Sequence, residues 1–338
     1  MKVRENPSLQ SLNTFGLDAT AGLLVEIESE EDLLDLPALD PGRDLVLGGG
    51  SNVVLVDNVP GTVFLNRVRG IAVIEDDGDV CLVEVGAGEN WHGLVDWSLD
   101  HGLNGLENLA LIPGCAGAAP IQNIGAYGVE LESVLESVTC WDWRDGDWGV
   151  FDRDACRFAY RYSRFKREPD RYLLASIRLR LCRSFVPELS YAGLADELER
   201  AGVTEPAPRD VANAVIRLRR RKLPDPAVEG NAGSFFKNPV VEAAAADLLR
   251  GENPALPAWA QPDGRCKLSA AWLIEACGLK GTSVGGAAVS ERHALVLVNR
   301  GGATGRDVAS LAARVRERVA DRFGVQLEPE PRLVCFEP

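Results

Sequence analysis

Short apolar runs punctuated by glycine fill the first half of the chain, and longer stretches with helical spacing appear in the second. Residues 45–56, LVLGGGSNVVLV, predict two short strands around a glycine turn, and residues 62–66 predict a third. Ahead of them Ser29 and Asp32 form a capping-box-like pattern that opens a short helix through Leu36, where Pro37 stops it. A second stretch predicts a strand at 83–85, a Gly86-Ala87-Gly88 turn, and a helix over 91–101 halted by Gly102. Glycine stays dense through Gly114, Gly117, Gly125 and Gly128, after which residues 138–151 and 172–181 alternate like strands. Residues 210–222 place Val211, Ala214, Val215 and Leu218 on one helix face.

Pro224 and Pro226 break that helix, because each proline blocks its continuation and forces the preceding residue toward extended geometry. Beyond this break the pattern predicts a helix over 269–277 ended by Gly278, a strand at 294–299, a helix over 304–323 ended by Gly324, and a last strand at 333–336. The alanine run at 242–247 reads as a small low-complexity tract. These patterns divide the chain into segments 1–70, 71–222 and 223–338, two α+β subdomains followed by a smaller α/β domain.

At 338 residues the chain exceeds the size at which one core stops growing. A net charge of -14 opposes a phosphate-tracking role, so nucleic acid is not an expected partner. The eight cysteines contain no C-x-x-C pair and the three histidines are too few for a Cys/His metal cluster, so no metal is expected and the thiols read as reduced and mostly buried. The N-terminal residues lack the roughly 7–15-residue apolar core of a secretory signal, and no run approaches the roughly 18 apolar residues of a membrane span. The expected location is cytoplasmic, with no membrane partner, and the expected state is a monomer.

Three glycine-rich turns carry candidate chemistry: Gly48-Gly49-Gly50-Ser51-Asn52, Gly86-Ala87-Gly88, and Pro113-Gly114 leading into PIQNIGAYG with Gln122, Asn123, Gly125, Tyr127 and Gly128. Successive backbone N–H groups in such turns form anion-binding concavities, and glycine lets the main chain approach a diphosphate. A dinucleotide is the natural guest. Neither G-x-G-x-x-G between strand and helix nor G-x-x-x-x-G-K-[ST] is present, which argues against Rossmann and P-loop readings.

LGGGSN, VGAGENW, LIPG with PIQNIGAYG, YRYSRFK, KLPDP, GNAGSFFKNP, KLSAAWLI, GGAAVS and LEPEPR occur in an order and spacing that resembles the UDP-N-acetylenolpyruvoylglucosamine reductases, the MurB family of peptidoglycan synthesis. The resemblance runs from Asn13 to Arg332. It implies an FAD-binding domain of the PCMH/vanillyl-alcohol-oxidase type, noncovalent FAD held by residues 48–52 and 114–128, and a nucleotide-sugar substrate. In that family hydride passes from NADPH to FAD and then to the enolpyruvyl group, giving UDP-N-acetylmuramate.

Such a reaction needs a cation or other donors aimed at a carboxylate that becomes an enolate, and a proton donor within reach of the neighbouring carbon. By the same resemblance Ser234 corresponds to the proton-donating serine, Arg161 to the catalytic arginine and Glu330 to the catalytic glutamate, with Glu328 a solvated neighbour. Tyr191 corresponds to a tyrosine that folds over substrate in the longer members, and Tyr160, Lys222, Asn238 and His293 fall among substrate-contacting positions. Outside these motifs Ser234 would be a turn cap, Arg161 a surface residue, and Lys222 part of a basic cluster complementing a helix C-terminus. The chain departs from the pattern at Ala118 and Ala119, where some members carry serines, and at Pro331, which restricts the backbone of Glu330. A flavoprotein oxidase of the same fold would need a base instead of an enolate protonator. A nucleotide-sugar binding module without catalysis would be expected to lack one of Ser234, Arg161 and Glu330.

Overall fold

The structure is a computed structural model that describes residues 1–191 and 193–336. Ala192, beside Tyr191, and the last two residues of the 223–338 segment lie outside the described residues. The chain forms two compact units: Met1–Pro7, Thr20–Gly50 and Val59–Arg221 make the first, and Ser8–Ala19, Ser51–Asn58 and the chain from Lys222 onward make the second.

In the first unit, Lys2–Glu5, Ala21–Ile27, Val59–Asn66 and Leu45–Leu47 form a four-stranded sheet in that order. Lys2–Glu5 runs antiparallel to its neighbour and the other pairs are parallel. A five-stranded antiparallel sheet follows, ordered Asp147–Asp152, Leu135–Asp142, Tyr172–Cys182, Val80–Gly86, Ile71–Asp76. The expected single run at 138–151 is two strands, turned back at Gly146 (φ 64°), with the Asp142 carboxylate accepting from Arg144 N at 3.0 Å. Helix Trp91–Asp100 is capped by the Asn90 side chain, which accepts from Gly93 N. Helix Pro208–Lys222 buries Val211, Ala212, Ala214, Val215 and Leu218, the face that the spacing predicts.

In the second unit, Gly230–Ser234, Val296–Asn299, Ala287–Val289 and Ser283–Val284 form an antiparallel sheet. Helix Gly305–Phe323 begins with a full capping box, Thr304 with Asp307, and ends at Gly324 (φ 67°). Helix Ala270–Ala276 is capped by Ser269. The alanine run at 242–247 lies in helix Ala243–Glu252, as its composition favours. Arg332–Val334 pairs parallel with Val53–Leu55. Phe15, Phe235 and Phe236 anchor this unit's core together with Leu273, Leu297 and Val315. No helix among the described residues is long and apolar enough to cross a membrane, and none of their His, Cys, Asp and Glu side chains gather into a candidate metal site.

Candidate active site and cofactor loops

The first unit carries the glycine loops. A Cβ on Gly48 would lie 2.5 Å from Cys115 Sγ, and one on Gly49 would lie 2.9 Å from Gly114 Cα. The two main chains therefore touch where any other residue would hold them apart, leaving a backbone-lined surface of the kind a diphosphate requires. Gly50 (φ 61°) and Gly114 (φ 119°) add left-handed turns beside this contact. Ala118 lies in the 3-10 turn Ala116–Ala118 and Ala119 is buried, so this turn offers main chain and no side-chain hydroxyl at these two positions.

Further along, Gly125–Ala126 and Val129–Glu130 form a hairpin whose turn residues Tyr127 (φ 50°) and Gly128 (φ 90°) both take positive φ, as a type I′ turn demands. Asn123 is fully buried in the left-handed region (φ 46°). Its Oδ1 accepts from Glu132 N at 3.0 Å and its Nδ2 donates to Glu130 Oε2 at 2.9 Å, so its amide holds this loop from within. Gln122 closes the preceding 3-10 turn, Pro120–Gln122.

Tyr160 and Arg161 are the middle residues of a tight turn closed by Tyr162 N donating to Ala159 O at 3.0 Å. Arg161 takes φ 54°, a conformation costly for a residue with a side chain and concentrated at functional sites. Its Nη2 donates to Gly125 O at 2.7 Å and its guanidinium lies 5.6 Å from the Tyr160 ring centre. The Tyr127 and Tyr191 rings meet edge to face at 4.8 Å, and Tyr191 is 40% exposed. Burial pushes the Tyr127 hydroxyl up to about 12, against the pull of Arg219.

Arg219 was not singled out by its sequence, where it is one of a helical cluster of arginines. In the structure its Nε donates to Leu111 O at 3.1 Å. Burial holds its pKa below the ordinary arginine value, with Tyr127 opposing and Arg161 adding to the shift. The helical spacing that separates Arg219 from its solvent-facing neighbours is the only signal that could have found it.

The second unit carries Ser234, Glu330, Asn52, Lys222, Asn238 and His293. Ser234 ends a strand with a bulge: the register against Val296–Asn299 slips between Asn231 and Ser234, and Gly233 takes φ 70°. Asn231 shapes this bulge, its Oδ1 accepting from Gly233 N at 2.8 Å and its Nδ2 donating to Glu229 O at 2.8 Å. Bulges re-aim side chains, and this one falls at Ala232 and Gly233, after which Ser234 rejoins the ladder opposite Val296. Phe235 and Phe236, both buried, fix the chain immediately after it.

Residues 328–330 run alongside 235–237. Glu330 N donates to Phe235 O at 2.9 Å, Lys237 N donates to Glu328 O at 2.9 Å, and Asn52 Nδ2 donates to Glu330 O at 3.3 Å. Glu330 is half-buried, whereas the Glu328 carboxylate is exposed and paired with Lys237. Pro331 is accommodated, since Arg332 N resumes hydrogen bonding to Asn52 O at 3.0 Å. Asn238 Oδ1 accepts from Ala270 N at 3.0 Å, which fixes its amide. His293 Nδ1 accepts from Leu295 N at 3.3 Å, and burial, then Lys222 and Lys280, holds the imidazole below its ordinary pKa. Lys222 is exposed at the end of helix Pro208–Lys222.

A family model described as an FAD binding domain matches residues 23–150, the stretch that holds the interlocked glycine loops. The chain is a flavoprotein. The C-terminal domain model of UDP-N-acetylenolpyruvoylglucosamine reductase matches residues 225–334. A relative of that name from Pseudomonas aeruginosa is 51% identical over 336 residues, covering 98% of this chain and 99% of the relative. Another from Burkholderia orbicola is 49% identical over 334 residues, covering 97% and 95%. The crystal structure of UDP-N-acetylenolpyruvylglucosamine reductase (MurB) from Thermus caldophilus matches with a TM-score of 0.67 at 28% identity, over 99% of this chain and 100% of that one. With half its residues shared along the full length, this chain belongs to the UDP-N-acetylenolpyruvoylglucosamine reductase family, and it is an FAD-dependent oxidoreductase of α+β architecture.

Proposed function

We propose that the chain reduces the enolpyruvyl double bond of UDP-N-acetylglucosamine enolpyruvate to give UDP-N-acetylmuramate, a peptidoglycan precursor, with NADPH as the reductant. The observation that carries this reading is the adjacency of the Ser234 and Glu330 segments, locked by Glu330 N donating to Phe235 O at 2.9 Å. A bulge presenting a hydroxyl beside a carboxylate-bearing segment suits protonation of a carbon next to a developing enolate.

Noncovalent FAD is held by Gly48, Gly49, Gly50, Ser51 and Asn52 and by Gly114, Gln122, Asn123, Gly125, Tyr127 and Gly128. When bound, FAD supplies the two-electron carrier between NADPH and the double bond. The chain's own groups do the rest. Ser234 Oγ gives its proton to the substrate carbon; a hydroxyl is a weak acid, and it serves here because an enolate carbon is a strong base. Arg161, oriented by the Gly125 carbonyl, faces the substrate carboxylate with a planar fork suited to that shape. Glu330 assists the charge that builds on the carboxylate. Tyr160, Tyr191, Lys222, Asn238 and His293 bind the nucleotide sugar, Lys222 meeting the diphosphate as a compact cation.

The test is anaerobic. NADPH should bleach the bound flavin, and the enolpyruvyl substrate should then restore its colour and yield one product per flavin. Restoration by oxygen but not by this substrate would reject the proposed substrate. Failure of NADPH to bleach an otherwise reducible flavin would reject the reductant.

A further inference from the structure

The hairpin turn that carries Tyr127 and the segment that carries Tyr191 meet on one buried amide. Asn108, 4% exposed, lies in the 3-10 turn Glu107–Leu109. Its Nδ2 donates to Tyr127 O at 2.7 Å and to Glu188 O at 2.9 Å, so the two protons of one amide hold two separate loops. The turn that carries it is itself hydrogen-bonded on both sides. Gly105 N donates to the buried Glu107 carboxylate at 2.9 Å, and Trp91 Nε1 donates to Leu109 O at 3.0 Å, one residue to either side of Asn108.

What Asn108 clamps is closely fitted. A Cβ on Gly128 would lie 3.2 Å from Glu188 Cγ and from Ser190 Oγ, so the hairpin turn and the 188–190 segment pack backbone to side chain. Within that segment the Glu188 carboxylate accepts from Ser190 N at 2.8 Å, and the Ser190 hydroxyl and amide hold its pKa below the ordinary carboxylate value. The Tyr191 ring follows directly and rests edge-on against Tyr127 at 4.8 Å.

We infer that Asn108 is a positioning residue that docks the Tyr191 segment onto the Tyr127 turn and so sets where Tyr191 stands when the nucleotide sugar arrives. The inference rests on the reading of Tyr191 as a substrate-contacting residue. With the clamp present, the segment is already ordered before substrate binds. Without it, two carbonyls lose their donor, the segment samples undocked arrangements, and binding must bear the cost of ordering it. Such a cost reduces apparent affinity by the fraction of chains in the competent state and leaves the chemical step alone.

The experiment uses holoenzyme whose flavin has been reduced with dithionite under anaerobic conditions, then mixed with increasing enolpyruvyl substrate. For Asn108→Ala the half-saturating concentration should rise about tenfold, as expected if a tenth of the chains are docked, with the limiting rate of flavin reoxidation unchanged. In a Tyr191→Ala background the same substitution should add nothing. A limiting rate that falls with no change in half-saturation, or an effect of equal size with and without Tyr191, would overturn the inference. Should Asn108→Ala fail to fold, Asn108→Ser and Asn108→Asp address the same clamp, the first by shortening the side chain and the second by replacing its donor with an acceptor. Both are expected to raise half-saturation in a Tyr191-dependent way, and independence from Tyr191 in both would likewise overturn it. A wild-type enzyme that the enolpyruvyl substrate does not reoxidise at all would instead reject the proposed function, and the inference with it. That outcome is distinct from a responsive wild type with an unshifted variant.

Discussion

Gly48→Ala should displace the cofactor loops, and the structure specifies how to rescue it. The added Cβ would sit 2.5 Å from Cys115 Sγ, closer than non-bonded carbon and sulfur tolerate. Overpacking of this kind costs about 1–3 kcal/mol, so the midpoint of urea unfolding should fall accordingly and FAD affinity should drop as the Gly114–Cys115 main chain is pushed aside. Cys115→Ala alone removes one buried sulfur, at about 1 kcal/mol. In the double variant the clash is gone, so its cost should approach that of Cys115→Ala alone, a non-additivity of about 1–2 kcal/mol. Gly49→Ala is the control, since its Cβ would meet Gly114 Cα at 2.9 Å and Cys115 N at 3.3 Å. These are backbone atoms that removing a thiol does not move, so Cys115→Ala should not rescue it. Urea unfolding of the apoprotein and flavin-fluorescence titration of each variant give both readouts. Additive effects for Gly48 with Cys115, or equal rescue of Gly48→Ala and Gly49→Ala, would refute the packing argument.

Lys222→Ala should raise the Michaelis constant for the nucleotide sugar about tenfold or more with a smaller change in kcat, as removal of binding common to ground and transition states predicts; steady-state kinetics checks this, and an unchanged constant would return Lys222 to a helix-terminal role. Iodoacetamide on the native protein should label Cys182 and Cys335, which are exposed, and spare Cys140 and Cys156, whose thiols burial pushes up to about 12; peptide mass spectrometry reads the pattern. His293 is held neutral by burial and by Lys222 and Lys280, with Glu275 opposing weakly, so its folded pKa lies below the ordinary 6.5. The unfolded chain takes up a proton there first, so stability should fall as pH drops below about 6.5, and His293→Gln should reduce that slope in urea unfolding followed across pH.

The parts of the fold legible in the sequence are those written in local chemistry. Ser269, Thr304 with Asp307, Gly278 and Gly324 bound their helices where their side chains and φ freedom place them. The strands Lys2–Glu5 and Ile71–Asp76 were not legible, because both are edge strands that bury almost nothing and so show no alternation. Gly230–Ser234 has no strand propensity at all. It is a strand because Val296–Asn299 pairs with it and Thr14 Oγ1 donates to Asn231 O at 2.7 Å, partners far away in sequence. The same distance hides the joining of residues 8–19 and 51–58 to the C-terminal unit. For the proposed site, motif context singles out Ser234, Arg161 and Glu330, but nothing local marks Asn108, whose hydrogen bonds are visible only when the loops it joins are seen around it.

The central claim is that Ser234 protonates the substrate carbon, and rapid mixing of Ser234→Ala holoenzyme tests it through two half-reactions followed separately. The account predicts that NADPH bleaches the variant's flavin at the wild-type rate, and that reoxidation by UDP-N-acetylglucosamine enolpyruvate slows by about two to four orders of magnitude, the range that a positioned proton donor contributes. Reoxidation at the wild-type rate would contradict it.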